Sequence, residues 1–235
     1  MNTLNANSLS EYISLVEKHC DSDEWLFRGQ QQDWPMIPKL ARLIPRINHL
    51  ADEKNMVTEF RRKLAEYISP MPSNDWDLLA IGQHHGLATR LLDWSLSPLV
   101  ALFFAIEHGH ETNGKNAVVY MYHFSKSDIV SNPDEISPFT PGRTLFYFSG
   151  NVTGRIRVQQ GCFSVHRQNK KRNWTPLQNN KFFSKHLFEI VLPENKFSEF
   201  RYELDRCGIN RASLFPDLDG LCNYLTWSYS IEVDE

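Results

Sequence analysis

Two short stretches hold most of the residues able to do chemistry. In the first, Leu26 to Trp34, an arginine directly follows the apolar triplet Trp25-Leu26-Phe27 and precedes a glycine. A strand ending this way delivers a guanidinium to its tip, and Gly29 leaves room for a ligand beside it. The planar fork of five donors suits phosphate or carboxylate, because it binds two oxygens at once. The plainer alternative is a structural arginine paired with an acid such as Asp93.

The second stretch, Gly82 to Ala105, interleaves His84, His85, Thr89, Arg90, Asp93, Ser95 and Ser97 with Leu91, Leu92 and Trp94. Polar groups this close to apolar anchors must be hydrogen-bonded to one another or to a ligand. Gly86 permits a sharp turn or a close approach to a ligand. Ser95 and Ser97 stand just ahead of a helix start, which favours anions. The alternative makes part of this set structural: the histidines cap the preceding helix, and Arg90 pairs with Asp93.

Other chemistries lack their patterns. His84 and His85 are adjacent and expected to point apart, and no H-E-x-x-H or H-x-D spacing exists, so no metal site is expected. There is no G-x-S-x-G elbow for a serine nucleophile, and neither phosphate-binding glycine motif occurs. Cys20, Cys162, Cys207 and Cys222 form no C-x-x-C pair and read as core residues in a reducing cytoplasm. A formal charge of −3 exerts no global pull on nucleic acid or anionic lipid, so any anion site is local. Met1 to Glu17 lacks a basic stretch followed by an apolar run, which argues against a signal peptide. The longest apolar run, near Leu99 to Ile106, is too short to span a bilayer, so no membrane partner is expected. The basic run Arg167 to Arg172, followed by Trp174, is either a solvated loop or a grip for a nucleotide or single strand.

These residues need elements to hold them. Ser8 to His19 has helical apolar spacing with Ser8 or Ser10 as cap. Trp25 to Phe27 reads as a brief strand, and Gln30 to Pro38 as an ordered loop. Asp52 to Ile68 is a helix with Met56, Val57, Phe60, Leu64 and Ile68 on one face and charges on the other. Asp75 to His85 is a helix stopped by Gly86, and Leu99 to Glu107 a buried helix entered through Ser97-Pro98. A turn at Gly109 to Asn116 leads to Ala117 to Phe124, expected as a central strand. Thr144 to Phe148, Gly161 to His166 and Phe188 to Leu192 are further strands. Gln168 to Lys181 reads as a mobile loop or hairpin tip. Ser198 to Cys207 is a helix ending at Gly208, and Pro216 to Leu225 starts a last one. Helices gather early and strands late without βαβ alternation. The expected architecture is therefore α+β, a helical N-terminal half packed on a mixed or antiparallel β core. A length of 235 residues is read as one domain.

Phe27-Arg28-Gly29-Gln30, Gln83-His84-His85-Gly86-Leu87 and Thr89-Arg90-Leu91-Leu92-Asp93-Trp94 together resemble the FRG domain family, named for its Phe-Arg-Gly motif. Arg155-Ile156-x-x-Gln159-x-Gly161-x-Phe163 and Leu214-Phe215-Pro216-Asp217-Leu218-Asp219-Gly220-Leu221 are similar to two later family motifs, so the resemblance spans about Trp25 to Leu225. It implies a bacterial or phage protein found near defence or toxin systems, with an antitoxin as one partner.

A second similarity is to the arginine-type ADP-ribosyltransferases. These have a strand ending in Arg-Gly, a Ser-Thr-Ser motif entering an alanine- and phenylalanine-rich helix, and a late strand with glutamate or glutamine. Leu26 to Gly29 looks like the first element, and Asp93 to Ser97 with Val100 to Ala105 like the second. Gln159, or alternatively Glu189, looks like the third. The similarity implies NAD as substrate, no metal, and a nucleic-acid or protein acceptor. It implies that Arg28, with Gly29 and Gln30, holds the pyrophosphate, that Thr89, Arg90 and Ser95 complete the cofactor site, and that Trp94 or a neighbouring aromatic stacks on nicotinamide. The residue of the third element bonds the ribose and stabilises oxocarbenium-like charge. His84 or Asp93 deprotonates the acceptor. Two departures stand out. Asp93 replaces the first serine, and an acid beside a pyrophosphate requires neutralisation, for which Arg90 is the expected partner. No E-x-E or Q-x-E pair exists. Two other functions fit the same residues: a non-catalytic nucleotide or nucleic-acid binding module, and a hydrolase of NAD or a phosphodiester.

Overall fold

The computed structural model describes residues 2–43, 50–107, 114–150, 158–168 and 174–230. Along the chain come β1 (Asn2–Asn5), α1 (Leu9–His19), β2 (Trp25–Gln30), α2 (Lys39–Arg42), α3 (Leu50–Leu64), α4 (Asp75–His84), β3 (Leu91–Ser95) and α5 (Pro98–Ile106). After them come β4 (Ala117–His123), β5 (Leu145–Tyr147), β6 (Gly161–Val165), β7 (Leu187–Leu192), α6 (Phe197–Arg206), α7 (Arg211–Leu214) and α8 (Leu218–Tyr229). Seven strands form one mixed sheet in the order β1-β7-β4-β2-β3-β6-β5. β1 and β7 are parallel, and the other neighbours are antiparallel.

The class is α+β, as the element pattern indicates. Its distribution along the chain differs from expectation in one respect: β1, β2 and β3 come from the N-terminal half, while α6 to α8 follow the last strand. β2 occupies the middle of the sheet, and β4 lies beside it. Most of the Gly109 to Asn116 turn, the pair Arg155-Ile156 and residues 169–172 of the basic run lie outside the described residues. Among the described residues no helix is long and apolar enough to cross a membrane.

Period-two alternation sorts β4 into two cores. Ala117, Val119 and Met121 pack with residues of α1, α5 and α6, including Tyr12, Ala101, Phe103 and Phe200. Val118, Tyr120 and Tyr122 face an aromatic cluster with Trp94, Phe146 and Phe183. There the Tyr122 and Phe183 rings stack with centroids 3.8 Å apart. A third cluster joins Val57 of α3 and Trp76 of α4 to Leu91, Phe163 and Val165.

Two local features set the position of the functional segments. A Cβ on Gly29 would lie 1.9 Å from the Ala101 carbonyl oxygen and 2.6 Å from the Ala105 nitrogen. The glycine therefore seats α5 directly on β2, and the space beside Arg28 expected for a ligand is filled by helix backbone on that face. The second feature is an opening in the sheet. β2 pairs with β4 from Trp25↔His123 to Gln30↔Val118, but with β3 only at Phe27↔Ser95. β3 pairs instead with β6, from Leu91↔Val165 to Ser95↔Gly161. The two central strands diverge where Arg28 and Asp93 stand.

Candidate functional site

A cavity of about 420 Å³ occupies this divergence. Arg28 and Gln30 line it from β2, Trp34 and Pro35 from the following loop, and Arg42 from α2. Gln83 and His84 enter from the end of α4, Asp93 and Ser95 from β3, Phe104 and Glu107 from α5, and Gln159 and Phe215 from late segments. Cavities of this size bind small molecules and cofactors.

Arg28 spans the gap left by the missing ladder. Its Nη1 donates to the Asp93 backbone carbonyl, and its Nε donates to Gln30 Oε1 at 3.3 Å. The contact with Asp93 is thus to main chain rather than to carboxylate. Nη2 makes no hydrogen bond among the described residues. Burial pushes the guanidinium down to about 10, Asp93 opposes that shift, and the neighbouring Arg42 adds to it.

Asp93 is exposed in a strand whose other four residues are buried. A relay orients its carboxylate. The Thr89 hydroxyl donates to Gln83 Oε1 at 2.7 Å, and Gln83 Nε2 donates to Asp93 Oδ2 at 2.9 Å. Thr89 is fully buried and also accepts from Leu91 N at 3.1 Å. It fixes the Gln83 amide and has no access to a cofactor, contrary to its expected role. His84 lies beside Gln83 on the cavity wall, and its ring contacts His85 edge-on with centroids 4.8 Å apart, so the two histidines do not point apart.

Gln159 joins the site from the turn before β6. Its Nε2 donates to the Leu214 carbonyl at 3.0 Å, its own carbonyl accepts from Ser95 Oγ at 2.7 Å, and Oε1 makes no hydrogen bond among the described residues. Leu96 N also donates to the Gln160 carbonyl at 3.0 Å. Gln160 has φ 47°, the left-handed conformation that turns the chain into β6. Ser95 Oγ further accepts from Ser97 N at 3.0 Å, and Ser97 Oγ caps Val100 N at 3.3 Å. Both hydroxyls expected at an anion site are engaged in closing the helix start.

Arg90, Trp94, Glu189 and Trp174, expected beside a ligand, are engaged by protein groups instead. Arg90 is 1% exposed and donates to Glu53 through Nε and Nη2. Its Nη1 donates to the carbonyls of Pro138 and Phe139, and its guanidinium lies over the Phe139 and Trp174 rings. It therefore neither neutralises Asp93 nor reaches a cofactor. The Trp94 indole is packed among Tyr122, Phe146 and Phe183, and its N–H donates to Ser164 Oγ at 2.8 Å, so its ring cannot stack on nicotinamide. Glu189 is buried on β7, two strands from Arg28, and accepts from Thr3 Oγ1 at 3.1 Å. Burial raises its carboxyl, and it is not on the cavity wall. Trp174, expected beside the basic run, packs on Arg90. Gln30 lines the cavity but positions the loop: its Nε2 donates to the Trp34 carbonyl at 2.9 Å.

Trp34 and Phe104, which fall inside the two stretches, also line the site, as do Arg42, Glu107 and Phe215 outside them. Of those three, only Phe215, inside the late Leu-Phe-Pro-Asp motif, carries a sequence signal. That motif is structural as well. Asp217 caps α8 by accepting from Gly220 N at 2.7 Å, and a Cβ on Gly220 would lie 2.0 Å from the Phe215 carbonyl oxygen.

The family profile described as the FRG domain matches residues 23–114. No curated protein and no solved structure matches the chain. The matched stretch carries Arg28, Gln83, His84 and Asp93, whereas Gln159 and Phe215 complete the wall from beyond it. Residues 23–114, with Phe27-Arg28-Gly29 on the central strand, thus carry the likeness to the FRG domain, less than half of the chain's length.

Proposed function

We propose that the chain is an ADP-ribosyltransferase-like enzyme that uses NAD to modify a macromolecule, in the cytoplasm of a bacterium as part of a defence or toxin system. The observation that carries this reading is convergence. Arg28, Asp93 and Gln159, far apart in sequence, line one cavity at the split of the sheet.

The chemistry follows from their donors and acceptors. The Arg28 guanidinium has donor capacity left for the pyrophosphate. Its position against the Asp93 carbonyl also supplies the positive charge that an acid beside a pyrophosphate requires. As the bond from ribose C1′ to nicotinamide breaks, its electron pair leaves with nicotinamide, and positive charge grows on the ribose. The Asp93 carboxylate, held by Gln83, stabilises that charge. Gln159 Oε1 accepts from a ribose hydroxyl. The acceptor atom then bonds to C1′, and its proton passes to Asp93 or His84.

One feature favours a second reading. Residue 159 is an amide and cannot act as a base, which suits a non-catalytic nucleotide-binding module. Labelled NAD incubated with the protein and bacterial lysate or oligonucleotides separates the two. Transfer of label to a macromolecule is the expected result, reduced about 100- to 10,000-fold in Asp93→Asn. Nicotinamide release without transfer marks a hydrolase, and a raised melting temperature without NAD consumption marks the binding module. The absence of both a melting shift and NAD consumption overturns the NAD reading.

A further inference from the structure

We propose that Arg42 is a second phosphate-binding cation of the cavity, so that the site selects ligands carrying two adjacent phosphates, such as a nucleoside diphosphate. This rests on the nucleotide reading of the cavity, but not on the transfer reaction.

Arg42 reaches the cavity from α2, an element outside the sheet, and faces the same space as Arg28. Other arginines have acidic partners: Arg61 has Asp75, Arg62 has Glu59, Arg90 has Glu53, Arg143 has Asp128 and Arg211 has Glu107. Arg42 has no hydrogen bond or ion pair among the described residues. The charge it feels across the cavity includes the Arg28 guanidinium, which burial lowers most and Arg42 lowers further. Two cations sharing a cavity repel each other, and a bridging dianion turns that repulsion into attraction.

α2 is held in place, so this arrangement is built rather than incidental. Leu40 is buried, its N–H donates to the Thr89 carbonyl at 3.1 Å, and Lys39 Nζ donates to the Gly86 carbonyl at 2.9 Å. Those contacts tie α2 to the segment that orients Asp93. Between the two arginines in sequence stands Trp34, 44% exposed on the cavity wall. Its carbonyl accepts from Gln30 Nε2 at 2.9 Å and from Gln178 Nε2 at 3.2 Å, which fixes the loop. An aromatic face beside two phosphate-binding cations is the arrangement that takes a base and its phosphates together.

Calorimetric titration with ADP, AMP and adenosine tests this on the wild type, Arg42→Gln and Arg42→Lys, with melting temperatures confirming the fold. The wild type binds ADP more tightly than AMP. Arg42→Gln weakens ADP about 10- to 100-fold and abolishes the preference over AMP, while Arg42→Lys retains part of it. Trp34→Ala weakens all three probes about tenfold, adenosine included. Unchanged ADP affinity in Arg42→Gln, or a wild type that binds no phosphorylated probe, overturns the proposal. Arg42-dependent ADP binding without NAD turnover removes the transferase reading and leaves this one standing. Label transfer from NAD with ADP affinity indifferent to Arg42 does the reverse.

Discussion

Arg28 and Arg90 stand in similar surroundings in the sequence, each beside apolar residues of a central strand, yet the fold uses them in opposite ways. Around Arg90 every nitrogen of the guanidinium is engaged by protein: Glu53 takes Nε and Nη2, and two carbonyls take Nη1. Around Arg28, which lines the cavity, one carbonyl and one amide are engaged, and Nη2 has no protein acceptor among the described residues. The difference teaches that an arginine's role depends on how many of its donors the protein itself satisfies. Residue type and neighbours in sequence do not reveal that number.

Arg90→Ala breaks the comparison most severely if it is right. It leaves Glu53 charged and buried and two carbonyls without a donor, which destabilises the fold by about 3–5 kcal/mol in chemical denaturation. A variant with wild-type stability would remove Arg90 as a structural hub. Gly29→Ala comes next. Its methyl group meets the α5 backbone, so the helix must lift from β2, at about 1–3 kcal/mol. Because α5 also lines the cavity, ligand binding falls with stability. Arg28→Ala has the smallest effect on the fold, about 0.5–1.5 kcal/mol for the lost bond to the Asp93 carbonyl. In the same variant NAD no longer raises the melting temperature. An Arg28→Ala protein that unfolds outright would place this arginine with Arg90, in the core.

Much of the scaffold was legible in the sequence because caps and periodicity are local. Ser8, Ser97 and Gly208 mark helix ends where expected, and the valine- and tyrosine-rich β4 is a strand. β3 was not recognised as a strand. Leu-Leu-Asp-Trp-Ser shows no alternation, because both of its faces are covered except at Asp93. β1, Asn-Thr-Leu-Asn, is a polar edge strand and resembles a tail. In the site, Arg28, Asp93, His84 and Gln159 were legible by motif. The fate of Arg90 was not, since its partner Glu53 looked like part of the solvated face of α3 and is 2% exposed. Arg42 gave no signal because its importance lies in the cavity it borders, a property of the tertiary fold.

The single register contact between β2 and β3 has a consequence for heredity. The stretch recognisable as a family contains both strands, but the main pairing partners of each, β4 and β6, lie downstream of it. Excised alone, residues 23–114 would present unpaired strand edges, a template for aggregation rather than a working module. Recombination can therefore not pass this stretch between proteins as a self-sufficient cassette. The rest of the chain must travel with it, because it supplies two strands and one wall of the cavity.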